Sequence, residues 1–414
     1  MIKTKHRIIR DDFKLYDEDR DSVRYNYEPD FVKPQSNIWW NKAKDFYVFD
    51  KDGNKWIDFS AGIFVANAGH SNPYINQAIV DQIDSDLVYS YQYYTEIRKK
   101  FVEKILECSP KHFEKVLLLN SGSEAADAAF RLIKIWAKKN NKKYIVSFNG
   151  SYHGRVLGAD LVCGNKNSTQ WSNIVDDDIV FIDFPYKEDA TFNPDDLPPA
   201  EDIAAFFVET YQGRTAQMYP KSYLKDLYDF SRNNGALVCF DEIQSGFYRM
   251  GKLYGYMTYG EYEPDIVCLG KGITSSLPMS AVLSSKEILD VNTNLSSTHA
   301  GNALCCAAGL ANLDFLTDEI FQHKLSKKIK VFEDRISKME RHNVVSYVNV
   351  RGMVAAIIFK DKNISDKVLD FCFNNGIFPV NTFSESIKLG PPLTITEDAL
   401  NEAFDILDEF LEQL

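Results

Sequence analysis

From about residue 115, short apolar runs alternate with longer stretches whose apolar residues recur at helical spacing. Runs at Lys115–Leu119, Lys143–Phe148, Ile179–Ile182, Ala204–Val208, Ala236–Phe240, Asp265–Leu269 and Ser280–Leu283 predict strands, with helices between most of them. That alternation predicts an α/β fold, a mainly parallel central sheet flanked by helices on both faces. Upstream, Ile38-Trp-Trp, Phe46-Tyr-Val-Phe-Asp and Lys55-Trp-Ile-Asp-Phe predict a small β-meander, turned at Asp52-Gly53. Helical patterns follow Pro73 and cover Thr95–Glu107. A long helix over Leu304–Leu316 opens a helix, strand, helix, strand, helix tail. The pattern therefore predicts a large domain over 61–302, with 1–60 and 303–414 contributing to a smaller α+β domain.

Composition narrows the class. The 414 residues are 45% hydrophobic and 26% charged, an ordinary balance for a soluble chain with a sizeable core. The net charge of −12, with no compensating basic block, argues against nucleic acid as a partner. No apolar run is long enough to span a membrane, and the charged start lacks the apolar core of a signal peptide. Seven scattered cysteines have neither zinc-ligand spacing nor the look of a disulfide framework, so a reducing cytoplasm is the expected location.

Candidate chemistry sits at strand ends. Asp265-Ile-Val-Cys-Leu-Gly-Lys271-Gly ends an apolar run in a lysine, and Gly235-Ala-Leu-Val-Cys-Phe240 ends in Asp241. An amine and a carboxylate so delivered suit pyridoxal phosphate: the amine condenses with the aldehyde, and the carboxylate keeps the pyridine nitrogen protonated. Leu118-Leu-Asn-Ser121-Gly122-Ser123 followed by an Ala-rich helix offers free amides, a hydroxyl and a helix dipole to a phosphate. Ser121 equally suits a plain N-cap. Tyr152-His153-Gly154, after another strand, places an aromatic ring where it can lie on a planar cofactor, and Gln244 follows Asp241 closely enough to reach a ring hydroxyl. Thr298, in a polar turn before the Ala/Cys-rich helix, can reach a phosphate or simply shape the turn.

The order Ser-Gly-Ser-Glu-Ala, Tyr-His-Gly, Glu-x-x-Gln-Gly, Asp-Glu-x-Gln-Ser-Gly-Phe, Leu-Gly-Lys-Gly and Ser-Thr-His-x-Gly-Asn resembles the class III (ω-type) aminotransferases of fold type I, over about residues 35–400. The resemblance implies a pyridoxal phosphate enzyme, homodimeric, with active sites at the subunit interface. It implies Lys271 as the cofactor-bearing lysine, Asp241 as the pyridinium partner, and Gly122 and Ser123 at the phosphate. Tyr152 would stack on the ring, Glu209 and Gln244 would support it, and Thr298 would meet the phosphate of the neighbouring subunit's cofactor. An amine donor and a keto or aldehyde acceptor would react in turn, by ping-pong chemistry.

The chain departs from that family at two positions that bear on substrate. Arg214 stands where many members using ω-amines have a glutamate, and Lys388 stands where that glutamate's arginine partner would be. Two cations facing a pocket would favour anionic substrates, such as an L-glutamate donor or a phosphate-bearing acceptor, with sugar- or polyol-derived carbonyls as further candidates. Cofactor motifs alone leave open a racemase, epimerase or decarboxylase of the same fold. A non-catalytic binding protein is disfavoured by the presence of both Lys271 and Asp241. A nicotinamide-dependent oxidoreductase lacks its Gly-x-Gly-x-x-Gly turn.

Overall fold

The computed structural model describes residues 1–16, 29, 34–165, 174–291 and 293–414. The parts of the expected 1–60 segment at 17–28 and 30–33 lie outside the described residues. The chain forms two compact units, one of Pro73–Gln322 and one of Met1–Asn72 with His323–Leu414. The sequence pattern had suggested divisions after residues 60 and 302.

Unit Pro73–Gln322 is built on seven strands: β1 (Lys115–Leu119), β2 (Tyr144–Phe148), β3 (Ile179–Ile182), β4 (Ile203–Glu209), β5 (Leu237–Asp241), β6 (Ile266–Leu269) and β7 (Ser280–Ser284). Each lies within one residue, at either end, of the apolar run that predicts it. Their order is β1-β7-β6-β5-β4-β2-β3. Neighbours among β2 to β6 are parallel, and β7 runs antiparallel between β6 and β1. β4 is buried at every position, as a central strand covered on both faces must be.

Helix α1 (Gly122–Lys139) brings Ala125, Ala126, Ala128 and Ala129 to the core, joined there by Leu132, Ile133, Ile145, Phe207 and Val282. Small side chains on the inner stripe let the helix lie close to the sheet. Its start is fixed by a capping box: Ser121 Oγ accepts from Glu124 N–H, and Glu124 Oε2 accepts from Ser121 N–H, both at 3.3 Å.

In the other unit, strands Lys42–Lys44, Tyr47–Phe49 and Lys55–Asp58 pair antiparallel. Ile38-Trp39-Trp40, expected as the first strand of the meander, is not one. Trp40 packs edge-on against His70 and Phe378, with ring centroids 5.6 and 5.2 Å away, so side-chain packing rather than a ladder holds this stretch. The single strand expected after the helix Glu319–Lys338 is a hairpin, Val345–Arg351 with Val354–Phe359, within a four-stranded sheet.

After Asp58 the backbone makes a left-handed turn, with φ of 46°, 60°, 62° and 65° at Ala61, Gly62, Ile63 and Phe64. Only glycine takes that region without cost. Phe64 is buried, and a Cβ on Gly390 would come 1.8 Å from its ring. The Lys388 ammonium sits 4.5 Å from the centre of that ring.

Candidate active site

Parallel strands deliver their carboxyl ends to one edge of a sheet, the usual place for ligands in open α/β folds. Glu209 ends β4, Asp241 ends β5 directly opposite it, and Lys271 follows β6 by two residues. They line a cleft together with Gly122 and Ser123 of α1, Tyr152 and His153 from the loop after β2, and Gln244.

Asp241 is held from two sides. Its Oδ1 accepts from Ile243 N–H at 3.0 Å, and its Oδ2 lies 2.7 Å from His153 Nδ1. A carboxylate only accepts, so His153 Nδ1 carries the proton. The imidazole is itself fixed edge-on against Phe207, 4.6 Å between ring centres, and its Nε2 is buried with no partner among the described residues. Lys271 takes φ of 42°, a left-handed conformation for a residue with a side chain. Burial lowers its pKa, while the negative charges of Asp241 and Glu209 pull it back up.

Glu209 joins two loops. Its Oε2 accepts from Tyr152 N–H at 3.1 Å and its Oε1 from Gly213 N–H at 3.0 Å. Burial pushes its carboxyl up to about 7, a rise that His153 opposes and Asp241 reinforces. Beside it, Glu242 is fully buried and accepts from Ser245 Oγ at 2.7 Å, Gly255 N–H at 2.6 Å, Tyr256 N–H at 2.8 Å and the Thr210 hydroxyl. Burial pushes Glu242 up to about 7 as well, against those donors.

The remaining expected residues lie outside the cleft lining. The Ser121 hydroxyl is engaged as the N-cap of α1. Thr298 sits in an exposed turn, its carbonyl accepting from the Tyr89 hydroxyl at 3.4 Å. Arg214 is exposed in the turn of the hairpin Tyr211–Gln212 with Gln217–Met218, and Lys388 is a buried residue of the other unit. Sequence reasoning missed Ile243, which packs under both Gly122 and Gly270. A Cβ on either glycine would meet its side chain at 2.9 or 3.2 Å. The two glycines were the available signal, but the contact joins three separate segments.

These features suit pyridoxal phosphate. The first-turn amides of α1 at Gly122 and Ser123 have no intrahelical partners and face the cleft with the positive end of the helix dipole. A half-buried amine and a braced carboxylate stand at neighbouring strand ends. Fold and site together define a pyridoxal phosphate-dependent enzyme of fold type I.

The chain belongs to the class III aminotransferases, whose family description, "Aminotransferase class-III", matches residues 31–411. It is 30% identical to an acetylornithine aminotransferase of Clostridium acetobutylicum, over 91% of this chain and 97% of that one. It is 29% identical to an isoleucine 2-epimerase of Lentilactobacillus buchneri, over 96% and 94%. The ornithine aminotransferase of Toxoplasma gondii, a solved structure described with partly occupied pyridoxal phosphate at its active site, shares the fold. The TM-score is 0.85 at 24% identity, covering 96% of this chain and 95% of that one.

Proposed function

We propose that this aminotransferase takes its amino group from an anionic donor, L-glutamate first among candidates, and passes it to a keto or aldehyde acceptor that is anionic or sugar- or polyol-derived. The observation that supports this reading is Arg214. It is exposed and has no hydrogen bond or ion pair among the described residues. It directly follows Gly213, which lies so close to the cleft that a Cβ there would come 2.9 Å from Glu209 Oε1. A guanidinium on the residue after one that close to Glu209 suits bidentate binding of a carboxylate or phosphate. Lys388, the other cation considered, is already engaged over the face of Phe64 and is the weaker partner.

In this reading Lys271 bears the cofactor, Asp241 faces the ring nitrogen with His153 orienting it, and Tyr152 stacks on the ring. Gly122 and Ser123 hold the phosphate at a helix start that Ser121 caps, and Gln244 meets the ring substituents. Bound there, pyridoxal phosphate supplies an aldehyde for the substrate amine and a ring that takes up electron density. Lys271 Nζ, its pKa lowered by burial, accepts a proton from the amine-bearing carbon of the substrate and returns it. Thr298 serves the phosphate of a second copy. That copy would cover the exposed run Leu87, Val88, Tyr89, Tyr91, Tyr93 and Tyr94. The cysteines, all free, suit a cytoplasmic setting.

The test is the absorbance of the cofactor-loaded protein before and after L-glutamate alone. Loss of the visible band with release of one equivalent of keto acid is expected. A band that L-glutamate leaves unchanged would remove glutamate as donor. Epimerase chemistry is the second reading, suggested by the Lentilactobacillus relative. Inversion of an amino acid with no acceptor present would establish it instead.

A further inference from the structure

The segment that carries Lys271 is a poor turn by itself. Lys271 and Ser275 bracket it with φ of 42° and 54°, each outside the comfortable range of a residue with a side chain. Within it Ile273 N–H bonds to Gly270 O at 3.0 Å. Gly272 and Ile273 are both buried, so their carbonyls need partners inside the protein.

One side chain supplies them. Asn312 Nδ2 donates to Gly272 O at 2.9 Å and to Ile273 O at 3.0 Å, and its Oδ1 accepts from Ser275 Oγ at 2.7 Å. Both amide hydrogens and the carbonyl are thus spent on residues 272–275. Asn312 is fully buried on helix Ala303–Thr317, where its buried neighbours Ala308, Gly309, Leu313 and Leu316 are apolar. A carboxamide there needs a reason, because an unpaired buried polar group costs about 1–3 kcal/mol. No other side chain of its size offers two donors and an acceptor at once: aspartate lacks the donors and leucine lacks both.

We propose that Asn312 is a positioning residue, which holds the 271–275 turn together between its two left-handed residues, Lys271 and Ser275, and thereby aims the Lys271 amine into the cleft. It touches neither substrate nor cofactor and acts through the backbone of the lysine's own turn. The inference rests on Lys271 being the cofactor-bearing lysine.

The test compares wild type, Asn312→Leu and Ser275→Ala by amide hydrogen exchange, first free of pyridoxal phosphate and then loaded. The second variant removes the Ser275 hydroxyl and leaves Asn312 in place, which guards against misfolding of the first. Expected is exchange over 271–276 faster by about tenfold or more in Asn312→Leu, with a smaller rise in Ser275→Ala and none in β4 and β5. In the loaded protein, the pH at which the cofactor's visible band changes should shift by about half a unit or more, because the amine's surroundings have moved. Unchanged exchange over 271–276 in both variants, or a rise spread evenly over the whole unit, would overturn the proposal. Cofactor-free exchange does not depend on any donor. A wild type that ignores L-glutamate would therefore count against the substrate reading and leave this result standing.

Discussion

Lys271 combines a left-handed backbone angle with an amine whose pKa burial lowers, and in the proposed function that amine carries the proton. Lys271→Ala should lower turnover by about 10²–10⁴-fold and abolish covalent retention of the cofactor on gel filtration in mild denaturant. Arg214→Ala should raise KM for anionic donors by about tenfold, in line with one charge-assisted hydrogen bond, with kcat little changed. Unchanged KM would remove Arg214 from substrate recognition. Glu242 makes a pH prediction away from substrate. Its pKa is about 7 folded against an ordinary 4.5, so between those values the folded protein keeps a proton that the unfolded chain has released. This group's contribution to stability is therefore present below that window and lost as pH rises through it. Urea titrations at about pH 5.5 and pH 8 should show the gap between Glu242→Gln and wild type moving in the variant's favour as pH rises. At this scale Lys271 and Asp241 were legible because strand ends are legible. The second role of Asp241's neighbours was not: the His153 contact joins residues far apart in the chain and leaves no local pattern.

Strand ends, the loops that follow them and one helix start make the cleft. Gly154, with φ of 140°, has no room for a side chain, since a Cβ would lie 2.4 Å from Ser123 Oγ and 2.8 Å from Ser123 Cα. Gly154→Ala should push the start of α1 away and weaken pyridoxal phosphate binding by about tenfold or more, measured by cofactor titration of the cofactor-free protein. Ser121→Ala should cost about 1 kcal/mol of unfolding free energy through the lost N-cap. The strands of the central sheet could be read from their apolar runs, because burial on both faces is a compositional demand. Direction could not: Ser280–Ser284 is buried at every position, as Ile266–Leu269 is, yet runs against both strands it pairs with. The Ile38–Trp40 stretch misled for the opposite reason, since tryptophans fit a strand and an aromatic cluster equally well.

For the whole chain, the exposed run near Tyr93 and Tyr94 carries the expectation of a second copy. Sedimentation should give twice the chain mass, and replacing both tyrosines with lysine should yield monomers of much reduced activity. A wild-type monomer with full activity would end that reading. The family was legible from six short motifs in fixed order. The substrate was not, because motifs that serve the cofactor carry no record of the side chains that would meet the substrate.

The turn at Ala61–Phe64 has a consequence that concerns mirror symmetry. Three L-residues there occupy the half of backbone space that their mirror images would choose, at a cost of roughly 1–2 kcal/mol each. The protein has, in effect, a short stretch of the wrong hand, kept by the seat that Gly390 opens for Phe64. A semisynthetic chain with D-alanine at position 61 should therefore melt higher than the natural one, whereas at most buried positions a D-residue is ruinous.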